Sequence, residues 1–131
     1  MWQVAHAWQR QLEKALSPLR LTHLQFVLLA ATSWLTEHEG APSQTRLAEF
    51  TSFDPMMTSK VLRLLESRGL LGRTADPERP RVKRVSLTDQ GRESLERAFP
   101  VWREVNKSYF GRLRTRRSEF AASLDVLIRG K

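Results

Sequence analysis

Asp54-Pro55-Met56-Met57-Thr58-Ser59-Lys60-Val61-Leu62-Arg63-Leu64-Leu65-Glu66-Ser67-Arg68-Gly69-Leu70-Leu71 carries its own start and stop signals. Asp54 can cap a helix and Pro55 suits its first position. Gly69 suits its end. At helical spacing Met57, Val61, Leu64 and Leu65 fall on one face, and Met56, Ser59, Lys60 and Arg63 on another. The first face reads as core. Next comes Arg73-Thr74-Ala75-Asp76-Pro77-Glu78-Arg79-Pro80-Arg81-Val82-Lys83-Arg84-Val85-Ser86-Leu87-Thr88. Leu71–Thr74 and Val82–Leu87 read as extended, with Lys83, Val85 and Leu87 alternating against Arg84 and Ser86. Pro77 and Pro80 cannot donate ladder hydrogen bonds, so 76–80 is a hairpin tip.

Upstream, Ser43 can cap a short helix with Leu47, Ala48 and Phe50 facing inward. Thr51-Ser52-Phe53 makes the turn to Asp54. Two short helices, a tight turn and a cationic ribbon form a winged helix-turn-helix, which implies a double-stranded DNA partner.

The flanks are helical. Val4, Ala5, Trp8, Leu12 and Ala15 form a stripe over 2–16 that Pro18 ends. Thr22-His23-Leu24-Gln25 is a capping box opening a helix to about Glu37 that is apolar all round, hence buried. Thr88 can cap a segment from Asp89 to about Leu113, which Pro100 should kink or break near Phe99. Arg112 to Arg117 is a basic connector. Ser118 should cap a last helix bearing Phe120, Ala121, Leu124, Leu127 and Ile128. The expected fold class is mainly α with a small β-hairpin. One domain spans 1–131, with the winged helix at about 43–88 and dimerisation helices at about 2–16 and 89–130.

The formal net charge is +8. Residues 1–50 balance Arg10, Lys14, Arg20 and Arg46 against Glu13, Glu37, Glu39 and Glu49, so all of the excess lies in 51–131. That asymmetry suits a polyanion bound to one part of the molecule. Cysteine is absent, which excludes disulfides and thiolate metal sites and is compatible with the cytoplasm. No apolar run is long enough to span a membrane and no signal peptide is indicated. His6, His23 and His38 lack metal-ligand spacing. No phosphate-binding glycine loop, nucleophile elbow or HExxH is present, so neither enzyme chemistry nor a cofactor is expected.

Leu21-Thr22-His23-Leu24-Gln25, Leu47-Ala48-Glu49, Asp54 to Leu71 and Val85-Ser86-Leu87-Thr88-Asp89-Gln90-Gly91 together resemble the MarR family of bacterial transcriptional regulators. The resemblance covers nearly the whole chain in order. It implies an obligate homodimer in which the first and last two helices interlock. It also implies a winged helix reading a pseudo-palindromic operator and, often, a small-molecule pocket between the dimerisation and DNA-binding regions. Family wings usually carry Asp-x-Arg or Asp-Arg-Arg. Counted back from Leu87-Thr88, Arg81 falls on the second arginine, Arg79 stands where the aspartate is expected and Pro80 where the first arginine can stand. That aspartate normally helps hold the wing arginine, and Asp76 or Glu78 is placed to substitute.

The DNA-contacting set is then Pro55, Met56, Thr58, Ser59, Lys60 and Arg63 on the recognition helix and Arg73, Arg79, Arg81 and Lys83 on the wing. Ser43 and Gln44 can offer backbone N–H groups to a phosphate. Met56 can contact a thymine methyl, and Arg81 is the candidate for the minor groove. Trp2, Trp8, Trp34 and Trp102 read as core or dimer interface, with a ligand pocket as the sharper alternative. The leading function is a homodimeric repressor relieved by a small molecule. The alternative is a winged-helix protein-interaction module without operator-specific binding.

Overall fold

The computed structural model describes residues 2–129. The side chains of Phe120 and Ile128, both assigned to the last apolar stripe, lie outside the described set. The chain order is α1 (Trp2–Leu16), a 3-10 turn (Ser17–Leu19), α2 (His23–Glu39), α3 (Gln44–Thr51), α4 (Pro55–Ser67), β1 (Leu71–Ala75), β2 (Lys83–Leu87), α5 (Asp89–Phe110), a 3-10 segment (Gly111–Arg116) and α6 (Arg117–Arg129).

The helix starts follow local chemistry. The Thr22 hydroxyl accepts from Gln25 N–H while the Gln25 side chain accepts from Thr22 N–H, a complete capping box. Ser43 accepts from Arg46 N–H, Asp54 from Met57 N–H and Thr88 from Gly91 N–H. Gly69, at φ 74°, closes α4 in the left-handed region that glycine enters without strain. Gly91 is required for another reason. A Cβ there would lie 1.8 Å from the Leu70 carbonyl oxygen, so only glycine lets α5 pass this close to the base of the ribbon.

β1 and β2 pair antiparallel with Leu71 opposite Leu87 and Arg73 opposite Val85. Val85 N–H donates to the Pro42 carbonyl at 2.8 Å, and Ser43 bridges Arg84, so the ribbon is sewn to the loop before α3. The core gathers Phe26, Leu28, Leu29 and Leu35 of α2 with Leu47, Leu62, Leu65 and Val85. α5 crosses beside it and reaches back to α1, where Trp8 Nε1 donates to Asn106 Oδ1 at 2.7 Å and the Tyr109 hydroxyl to the Val4 carbonyl at 3.1 Å.

Three expectations about the helices need correction. Of the kink or break expected at Pro100, no break occurs: α5 runs on through it. Proline forfeits one helical hydrogen bond, and packing of Ala98, Phe99 and Trp102 against the core holds the helix across it. α6 begins at Arg117, ahead of Ser118. Phe50 points outward, 42% exposed, and stacks on Trp34 at 5.3 Å. Among the described residues no helix is long and apolar enough to cross a membrane.

Candidate nucleic-acid interface

The recognition helix α4 is rotated from the phase read in its sequence. Its inward residues are Thr58, Leu62 and Leu65, each fully buried. Met57, assigned to the core, is 49% exposed, and Leu64 is similarly open. Thr58, assigned to base reading, is 0% exposed and its hydroxyl lacks a hydrogen-bond partner. Val61 and Leu62 are both apolar, so the stripe through 58, 62 and 65 was as available as the one through 57, 61 and 64. Spacing alone does not choose between them. The correction removes Thr58 from contact with a base edge. Met56, at 82% exposed, and the exposed Lys60 and Arg63 remain on the outer surface with the partly exposed Ser59. Pro55 begins the helix, next to the Asp54 cap.

Arg73 is the second departure. Its side chain is only 18% exposed. One arm of its guanidinium donates to Glu66 Oε1 at 3.0 Å and the other to Gln44 Oε1 at 3.2 Å. Glu66 is held below the usual carboxylate range, first by that hydrogen bond. The wing arginine expected on DNA is therefore engaged inside the fold, joining β1 to α3 and α4. The sequence held a signal for this. Arg73 shares the strand face of Leu71, and Leu71 is core. Glu66 was not foreseen as its partner.

At the wing tip Asp76 takes the organising part. Its Oδ2 accepts from Arg84 Nε at 2.7 Å, and its Oδ1 accepts the N–H groups of Glu78 at 2.8 Å and Arg79 at 3.1 Å. These bonds lower its pKa, the Arg84 contact most. Val82 N–H closes the tip onto the Arg79 carbonyl at 2.8 Å. Asp76 thus holds Arg84 and the loop backbone, whereas the role expected of a substitute for the family aspartate is to hold Arg81. Arg79, Arg81 and Lys83 are exposed around it.

Behind this surface lies a cavity of about 580 Å³ between α2, α3 and α5, walled by Phe26, Trp34, Phe50, Leu95, Phe99 and Trp102. Trp34 stacks on His38 at 3.9 Å, and Trp102 tilts against Phe26 at 5.5 Å. The Trp102 indole N–H donates to His23 Nε2 at 3.4 Å, a contact made by the neutral imidazole with that nitrogen as acceptor. Burial lowers the His23 pKa and Glu13 partly opposes it. Two tryptophans therefore line a pocket, while Trp8 packs between α1 and α5 and Trp2 is 75% exposed. No group of three or more His, Asp or Glu side chains among the described residues could hold a metal ion.

Comparison with known proteins agrees with this architecture. The model of the MarR family matches residues 21–83. The uncharacterised HTH-type transcriptional regulator YdcH of Bacillus subtilis (strain 168) is 33% identical over 129 residues, covering 98% of this chain and 87% of that one. The HTH-type transcriptional repressor Rv2887 of Mycobacterium tuberculosis (strain H37Rv) is 32% identical over 128 residues, covering 97% and 89%. BpsR of Bordetella bronchiseptica, solved to explain regulation of its DNA binding by 6-hydroxynicotinic acid, superposes with a TM-score of 0.85 at 25% identity over 98% of this chain and 89% of that one. With six helices and an antiparallel wing among the described residues, and relatives matched over nearly the whole of this chain, the chain belongs to the MarR family of transcriptional regulators.

Proposed function

We propose that the protein is a homodimeric, sequence-specific repressor that acts in the cytoplasm and releases its operator on binding a small molecule. The observation that carries this reading is the joint surface of α4 and the wing. Met56, Ser59, Lys60 and Arg63 stand outside the core on one helix, beside a ribbon whose tip Asp76 orders and Arg79, Arg81 and Lys83 charge. In this reading α4 enters the major groove, Arg81 reaches the minor groove, and the N–H groups of Ser43 and Gln44 meet a phosphate. Relatives named a repressor and a ligand-regulated DNA binder support it.

Dimerisation is inferred from exposed apolar surface at both chain ends. Trp2, Val4, Val126 and Leu127 lie open on α1 and α6 in the single chain, an arrangement a two-fold partner would bury. A second reading draws on Met57 and Leu64. Their exposure beside Met56 gives α4 an apolar margin that suits a protein partner.

Selection of bound fragments from random duplex DNA, followed by sedimentation of the complex, tests both. Recovery of one sequence with two half-sites and a bound dimer supports the repressor reading. A flat salt profile with no selected sequence would favour the protein partner. A dimer neutralising six or more phosphates should instead lose roughly a thousandfold in affinity between about 50 and about 200 mM salt.

A further inference from the structure

We infer that the cavity between α2, α3 and α5 takes a flat aromatic cation in preference to an aromatic acid. The inference rests on the proposed ligand-relieved function and names the chemistry of its ligand. Two features of the walls point this way. The first is the ring content. Phe26, Trp34, Phe50, Phe99 and Trp102 border a space of about 580 Å³, large enough for a two- or three-ring molecule. Ring faces attract cations through their quadrupoles, and tryptophan does so most strongly.

The second feature is charge. Glu37 on α2 and Glu96 on α5 line the same cavity. Among the described residues no lysine, arginine or histidine lines it. Arg103 lies over Phe99 at 4.8 Å and Arg46 over Phe50 at 5.6 Å, but neither borders the space, and Arg46 is already paired with Glu39 at 2.9 Å. An acid entering here, such as the compound named for BpsR, would meet two carboxylates and no lining cation. A cation meets attraction from both the rings and the carboxylates. Glu37 and Glu96 also sit on different helices, so a bound cation would bridge α5 to α2, which packs against α4. That is a route by which occupancy could reset the spacing of two recognition helices.

The test uses three naphthalenes of matched shape in calorimetric titrations of the full-length protein without DNA: (2-naphthylmethyl)trimethylammonium, 2-naphthylmethanol and 2-naphthoate. The cation should bind about tenfold more tightly than the acid, with the alcohol between them. Glu37→Gln combined with Glu96→Gln should cut the preference for the cation to the remainder that the rings supply and leave the alcohol unchanged. These two side chains are exposed, so the exchange leaves the core intact. Trp34→Ala should weaken all three probes. Equal or tighter binding of naphthoate would overturn the inference, as would a cation preference that the double substitution leaves undiminished. Failure of every probe to bind would also overturn it. Separate anisotropy with the selected duplex isolates the underlying reading. A cation that binds as expected but leaves DNA affinity unchanged supports the ligand class and counts against ligand relief.

Discussion

Arg73 on β1 and Glu66 on the last turn of α4 form a 3.0 Å ion pair, and the same guanidinium reaches Gln44 at the head of α3. One side chain thereby joins the wing to both helices of the reading unit. Its contribution to DNA affinity should be positional. Arg73→Gln should weaken operator binding about tenfold without changing the slope of affinity against salt, because no phosphate contact is lost. Glu66→Gln removes a negative charge near the duplex yet should weaken binding too. A direct phosphate contact predicts the opposite pair: a slope reduced by about one for each wing engaged, and tighter binding on loss of Glu66. Anisotropy at several salt concentrations separates them.

Thr58 should behave as a core residue. Its hydroxyl is buried without a partner, so Thr58→Val keeps the shape and relieves an unsatisfied group. Denaturant unfolding should show a gain of about 1 kcal/mol, with operator selectivity retained. Altered selectivity would return Thr58 to the reading face.

The wing tip depends on Asp76. Asp76→Ala frees Arg84 and two backbone N–H groups at once. Operator affinity should drop about tenfold while the melting temperature moves little, since the tip lies outside the core. Arg81→Ala should hurt most on A·T-rich flanks, and Arg79→Ala should hurt all flanks alike. Equal losses for the two arginines on both kinds of flank would show that Arg81 is not the minor-groove residue.

His23 gives the fold a predictable acid sensitivity. Burial holds its pKa below the ordinary 6.5. The unfolded chain takes up this proton at about 6.5, and the folded chain only at lower pH. The stability so gained is complete above 6.5 and is lost as pH falls through the folded value. His23→Gln, which can still accept from Trp102, should flatten the fall in urea midpoint between pH 7.5 and pH 5.5. Parallel falls in both proteins would place the acid-sensitive group elsewhere.

Local chemistry settled much of this molecule from sequence alone. The capping box of Thr22 and Gln25, the Asp54-Pro55 start and Gly69 each act within a few residues, so they placed α2, α4 and the ribbon with little error. The motif order was enough to recognise the family. Tertiary packing decided the rest. Adjacent apolar residues such as Val61 and Leu62 leave the rotation of α4 open, and contact with α2, α3 and β1 chose the face carrying Thr58. Arg73 was legible as a cation but not as an internal tie, because its partners Glu66 and Gln44 lie 7 and 29 positions away. The aromatic cavity joins α2, α3 and α5, and only the fold brings Phe50 and Phe99 to one space. Periodicity reports how residues repeat along one element; which neighbour each face meets depends on chain-distant contacts that no local pattern encodes.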